Sequence, residues 1–267
     1  MRLSRLLLAA AAGAAAPVLA VATSTPAVAA GASYAALGDS YSSGTGTGNY
    51  YADSGSCQRS PQSYPALWVA AHSVSSFAFA ACAGARTGDV LNNQLGGLNA
   101  ATTLVSISIG GNDAGFSTVM TNCITQSDSG CRTSVTNAEN YARTTLPGLL
   151  DNTYNAIRSR APVASVVVLG YPRFYQIGGS CLVGLSDTKR TYINEGADVL
   201  DSVIQAAAGR HGFAFADVRD AFVPHEICSS GTSWLHSLDW FHIGESYHPT
   251  SNGYRYGYLA VFTGVTG

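Results

Sequence analysis

The sequence predicts an α/β fold in which a parallel sheet of about five strands carries helices on both faces. Two observations point there. Five short apolar runs are spaced along the chain, and the stretches between them hold helical candidates long enough to serve as crossovers. Alternation of strand and helix is the pattern of a parallel sheet. One of the runs is also β-branched and almost wholly apolar, as a strand buried on both faces requires.

In chain order, the first strand is read at Ser33–Gly38 (SYAALG), an apolar run closed by glycine. Ser75–Ala80 (SSFAFA) is the second, and Leu104–Ile109 (LVSISI), with apolar and polar residues alternating, is the third. Ser165–Gly170 (SVVVLG) suits a central strand, and Phe213–Ala216 (FAFA), followed at once by Asp217, is the fifth. Helices are expected at Tyr64–His72, Asn137–Arg160, Asp187–Arg210 and Ser251–Phe262. The Gly/Ser/Thr-rich stretch Tyr41–Ser60 lacks a Gly-Lys-Ser/Thr and opens no helix with G-x-G-x-x-G, so it reads as a surface loop held by Cys57 rather than a phosphate cradle.

The first residues are expected to be a leader. Arg2 and Arg5 precede a Leu/Ala/Val run from Leu6 to Val21, and Pro26-Ala27-Val28-Ala29-Ala30 offers small residues for cleavage. A secretory signal over 1–29 leaves one domain over 30–267, a length that fits a single core. Without Arg2 and Arg5 the 14 basic residues fall to twelve against 16 acidic ones, and Lys189 is the one lysine. With no basic block, a nucleic-acid partner is not expected. Beyond residue 30 no apolar run approaches the roughly 20 residues that span a bilayer, so stable membrane insertion is not expected either. A secreted, extracellular monomer is the expectation. The even set of six cysteines, none in a C-x-x-C pair, agrees with export and reads as disulfides rather than a metal site. Spacing leaves their pairing open. Sequential linkage is the simplest arrangement, because Cys123 and Cys131 bracket one polar loop.

Chemistry gathers where strands end. Ser40 follows the first strand in Gly38-Asp39-Ser40-Tyr41-Ser42, where a sheet's carboxyl edge exposes a hydroxyl to a base and to an acyl carbon. Position 42 is Ser, so this is not the G-x-S-x-G elbow. Cys82-Ala83-Gly84-Ala85 follows the second strand and Gly110-Gly111-Asn112-Asp113 the third, while Glu245-Ser246-Tyr247-His248-Pro249 precedes the last helix. Acyl transfer needs a nucleophile, a base and donors for the developing oxyanion. Gly84 lets the backbone approach a substrate oxygen, and Asn112 offers an uncharged amide donor. Asp39 and Asp113 are expected to hold loop N–H groups. His72, His211 and His225 lie far from these motifs and read as surface or capping residues. His236 and His242 lack carboxylate spacing for a metal, so none is expected.

Four blocks in this order, Ser40, Gly84, Asn112 and His248, resemble the GDSL-type esterases and lipases of the SGNH hydrolase superfamily, in their secreted three-disulfide bacterial lipase/phospholipase branch. The resemblance spans nearly all of 30–267. It implies a flavodoxin-like three-layer α/β/α fold, Ser40 as nucleophile and His248 as general base and acid. It also implies an oxyanion hole of the Ser40 N–H, the Gly84 N–H and the Asn112 side chain, and disulfides Cys57–Cys82, Cys123–Cys131 and Cys181–Cys228. One position departs from the pattern: the Asp usually found three residues before the His is Glu245 here. Either its carboxylate orients the imidazole or the Ser246 main-chain carbonyl does, with Asp239 a weaker competitor and Ser246→Ala expected to be silent. The function implied is a cofactor-free serine ester hydrolase acting on lipid esters. Phospholipase A1, carbohydrate (acetyl) esterase and a non-catalytic binding module are the alternatives.

Overall fold

The computed structural model describes residues 31–181 and 183–267; the expected leader lies outside the described residues. Gly31–Gly267 form one compact unit. Its centre is a five-stranded parallel sheet of β1 (Ala32–Gly38), β2 (Val74–Phe79), β3 (Leu104–Ser108), β4 (Ser165–Leu169) and β5 (Ala214–Ala216), in the order β2-β1-β3-β4-β5. All five strands fall where the apolar runs lie, within a residue or two at each end.

The helices are α1 (Ser40–Ser43), α2 (Tyr64–Ala71), α3 (Thr87–Asp89), α4 (Phe116–Thr125), α5 (Asp128–Thr144), α6 (Leu146–Arg160), α7 (Asp187–Arg210) and α8 (Leu259–Thr266). Parallel crossovers are right-handed, so connections that step toward β2 and those that step toward β5 fall on opposite faces. Accordingly α2 packs with α8 on one face, while α4 to α7 pack on one another over the other. The chain reverses its direction of travel at β1 and β3. Ligands of such sheets bind outside the carboxyl ends of the strands at that switch point, and Ser40 and Asn112 follow those two strands.

Three expectations need correction. The single helix over Asn137–Arg160 is two, α5 and α6, because Pro147 in the first turn of α6 has no N–H to continue an unbroken helix. Helix α4 was not foreseen; its β-branched composition (FSTVMTNCIT) hides a helical signal. Consequently Cys123 and Cys131 do not bracket a loop. They sit in α4 and α5 and join two helices across the turn at Gln126 and Ser127. The final helix runs past Phe262 to Thr266, after a wider π-helical stretch at Gly253–Tyr258.

Strand β3 differs in a way that matters for the site. Its alternating serines are not on a solvent face; all five residues are buried. Ser106 Oγ bonds the hydroxyls of Tyr34 at 2.7 Å and Tyr64 at 3.1 Å, so a polar seam runs beneath the turn that carries Ser40, satisfied from within.

Candidate active site

Ser40 is the first residue of α1, and two local devices fix it there. Gly38 turns the chain out of β1 at φ +116°, and a Cβ would lie 2.3 Å from the Ser108 carbonyl oxygen, so only glycine fits. Asp39 caps the helix, its Oδ1 accepting the Tyr41 N–H at 3.0 Å. Ser42, the residue that separates this turn from G-x-S-x-G, accepts the Ser108 N–H at 3.0 Å and so ties α1 to β3. As N1 of a helix, Ser40 has a backbone N–H with no intrahelical acceptor.

Asp39 does more than cap. It also accepts the Ser108 hydroxyl at 2.8 Å and the Tyr171 hydroxyl at 2.5 Å, and burial pushes its pKa up to about 6 against these donors. Tyr171, at the end of β4, accepts the Gly111 N–H at 3.2 Å through the same hydroxyl. One phenol therefore spans the turn that carries Ser40 and the turn that carries Asn112.

The turns after β2 and β3 are fastened together as well. Asn112 Nδ2 donates to the Ala85 carbonyl at 3.0 Å, which leaves its second amide hydrogen for another acceptor. Asp113 accepts the Thr87 N–H at 3.0 Å and the Thr87 hydroxyl at 2.6 Å, the loop-holding task expected of it. Gly84 lies between them with φ +79° and open space where a side chain would be. Its neighbours' N–H groups are spent on Cys57 and Cys82 carbonyls at 3.1 Å each. The Cys57–Cys82 disulfide ties this turn to the Gly/Ser-rich loop that follows α1; Cys181–Cys228 is the third bridge.

His248 arrives from the other end of the chain. Its Nε2 is 2.7 Å from Ser40 Oγ and its Nδ1 is 3.1 Å from the Ser246 carbonyl oxygen. A carbonyl can only accept, so Nδ1 carries the proton and the Nε2 lone pair receives the Ser40 O–H. The carbonyl reaches a ring two residues further on because Tyr247 adopts φ +68° and folds the chain back. That left-handed turn costs roughly 1–2 kcal/mol for a non-glycine residue. It is held by the Tyr41 hydroxyl, which donates to the Tyr247 carbonyl at 2.6 Å, and by the Tyr247 N–H, which donates to His236 O at 3.0 Å.

The side chains considered as alternative orienters point elsewhere. Glu245 accepts the Tyr50 hydroxyl at 2.5 Å, and Asp239 accepts the N–H groups of Phe241 and His242 at 2.8 and 3.2 Å and faces the His242 ring. The Ser246 side chain, whose removal is expected to be silent in turnover, has a structural task within its own loop. Its Oγ accepts the Asp239 N–H at 2.9 Å and donates to the Asp239 carbonyl at 3.3 Å, closing the loop 239–246. The remaining histidines act locally: His72 caps α2, His211 meets Asp151 at 2.9 Å, His225 stacks on Trp234, and His236 contacts the Gly46 carbonyl at 2.7 Å.

Burial pushes the His248 pKa down to about 4, outweighing the Ser246 carbonyl, which favours the charged ring. Among the described residues no carboxylate bonds the imidazole to hold it up. The ring is therefore neutral near pH 7, the form a general base needs.

An apolar cavity opens beside the pair. Ser40 and Asn112 are among its lining, together with Phe116, Met120, Val135, Ile193 and Leu200 from α4, α5 and α7. No sequence pattern announces it, since α4 supplies part of the wall.

Residues 36–256 match the GDSL-like lipase/acylhydrolase family. Lipase 1 of Streptomyces coelicolor is 58% identical over 232 residues, 87% of this chain and 86% of that protein. The crystal structure of the extracellular lipase from Streptomyces rimosus superposes with a TM-score of 0.85 at 55% identity, over 87% of this chain and 99% of that one. That of phospholipase A1 from Streptomyces albidoflavus gives 0.85 at 56% identity, over 88% and 99%. With the turn that carries Ser40, the glycine- and asparagine-bearing turns and the late histidine all inside the matched span, the chain belongs to the GDSL-like lipase/acylhydrolase family.

Proposed function

We propose that the chain is a secreted, monomeric serine ester hydrolase that cleaves carboxylic esters of lipids. The observation that carries the lipid assignment is the apolar cavity leading from Ser40 between α4, α5 and α7, a place for an acyl chain and a poor one for a sugar. The lipase and phospholipase A1 names of its relatives, the leader read over 1–29 and the three disulfides support the same reading.

In this reading His248 Nε2 takes the Ser40 proton as Oγ attacks the acyl carbon. The Ser40 and Gly84 N–H groups and the free Asn112 amide hydrogen receive the oxyanion. His248 then protonates the departing alcohol, and the acyl-enzyme is opened by water that gives its proton to the same nitrogen. The Ser246 carbonyl keeps Nδ1 protonated throughout. No cofactor is needed for any step.

Turnover of p-nitrophenyl esters of increasing chain length, with phosphatidylcholine alongside, tests the assignment. Ala197→Phe, which fills the cavity from α7, should lower kcat/KM for long esters by about tenfold or more while sparing the acetate, the size of effect a blocked hydrophobic pocket gives. Activity confined to acetylated sugars would overturn it.

Glu245→Gln should reduce kcat by less than about tenfold, about 1.4 kcal/mol of barrier, because the carboxylate serves Tyr50 and not the ring. A loss of several orders of magnitude on a soluble ester would return Glu245 to the catalytic set.

The pH profile gives a separate check. With His248 pushed down to about 4, the neutral base persists as pH falls, so kcat/KM should hold between pH 8 and pH 6. A histidine at its ordinary value of about 6.5 would lose about three-quarters of its neutral form over that range. A limb near pH 6 that vanishes in Asp39→Asn would assign the titration to Asp39 instead.

A further inference from the structure

We propose that the loop 239–246 is a lipid-surface anchor, whose Trp240, Phe241 and Ile243 enter a lipid phase of no net charge and deliver the Ser40 site to it. The proposal rests on the lipid-ester reading above. Trp240 is 73% exposed, Phe241 92% and Ile243 58%. Single exposed apolar residues are ordinary, but three among four consecutive positions form a patch, and an exposed patch marks an interaction site. Val183, 86% exposed, lies with Trp240 along one cleft, so a second loop adds to the same apolar edge.

The tip is held out rather than left loose. The Asp239 carboxylate accepts two successive main-chain N–H groups beneath it, and Ser246 Oγ pins both backbone groups of Asp239. A polar stalk thus carries an apolar head, the arrangement by which aromatic side chains seat at a lipid–water boundary. The stalk ends on Ser246, whose carbonyl orients His248, so the anchor and the base share one residue.

Charge selects the surface. Residues 220–254 contain neither lysine nor arginine, and Asp239 and Glu245 flank the tip. Across the cleft, Lys189 donates to the Gln126 carbonyl at 2.5 Å and Arg190 pairs with Asp187 at 2.9 Å. An anionic surface meets two carboxylates at the tip itself, and the Lys189 ammonium stands on the far side of the cleft, held to a main-chain carbonyl.

Co-sedimentation with phosphatidylcholine vesicles, in a Ser40→Ala background so that the lipid survives, measures the anchor directly. Trp240→Ser/Phe241→Ser should lower partition by at least about tenfold, while Phe241→Leu retains it. With Ser40 present, the double variant should lose turnover on vesicles and keep it on a soluble short ester. Unchanged partition in the double variant, tighter binding to phosphatidylglycerol than to phosphatidylcholine, or an equal loss on the soluble ester would each overturn the anchor. Phosphatidylcholine dispersed in detergent separates the two readings. If the wild type turns over soluble esters but neither this lipid nor a triacylglycerol dispersed in the same way, the lipid assignment fails; if it turns over a dispersed lipid, a partition result speaks to the anchor alone.

Discussion

Ser40→Ala is expected to lower kcat on a soluble p-nitrophenyl ester by on the order of 10⁵–10⁶-fold, the scale seen when the nucleophile of a serine hydrolase is removed. The oxygen is the atom 2.7 Å from His248 Nε2, and no neighbouring hydroxyl can replace it. Ser42 is committed to Ser108, and the Ser43 hydroxyl donates to the Ser40 carbonyl at 3.3 Å. The fold should survive, because α1 is held by the Asp39 cap, by Ser42 and by the Tyr254 hydroxyl, which donates to the Ser40 carbonyl at 3.1 Å. An unchanged near-UV circular dichroism spectrum together with lost turnover is the expected pair. Wild-type turnover from a preparation free of wild-type enzyme would remove Ser40 from the mechanism.

Asn112→Ala should cost about 10²–10³ in kcat, as loss of one oxyanion donor does in other serine hydrolases, with a smaller change in KM. The interaction sought strengthens as charge develops on the substrate oxygen, so it belongs to the transition state more than to binding. The side chain has a second task, its bond to the Ala85 carbonyl, which joins the turns after β2 and β3. A melting temperature measured beside kcat therefore separates a loosened turn from a lost donor. A rise in KM alone would make Asn112 a substrate-binding residue.

Legibility in the sequence followed chain locality. Strands were readable because each carries a short apolar run, buried in β1, β3 and β4 and only partly covered in β2 and β5, and α7 because its 24 residues are unbroken. The α5–α6 break turned on Pro147, and α4 on a helix whose residues favour strands. Ser40, Gly84, Asn112 and His248 were legible as candidates because each follows a strand or precedes the last helix in a short turn. Tyr171 and Tyr50 were not. They are two of 14 tyrosines, and what sets them apart is a partner far along the chain, Asp39 for one and Glu245 for the other. The Ser246 latch is closer in sequence, yet a serine in a polar loop carries no periodic mark. The apolar cavity was hidden for a related reason: its walls come from three helices that meet only in the folded chain.

The carbonyl that steadies His248 has a consequence for how this enzyme drifts. Every amino acid supplies the same main-chain oxygen, so no codon change at position 246 can delete the third member of the relay. Selection on the orienting step acts instead on the shape of the backbone, through the left-handed Tyr247 and the hydroxyl of Tyr41 that grips it. On the proposed mechanism position 245 is released from catalysis and free to accumulate replacements compatible with Tyr50. A scan of all substitutions should find two intolerant side chains in the proton relay, Ser40 and His248, and a scatter of conformational hits at 41 and 247 where a catalytic acid would ordinarily have been sought.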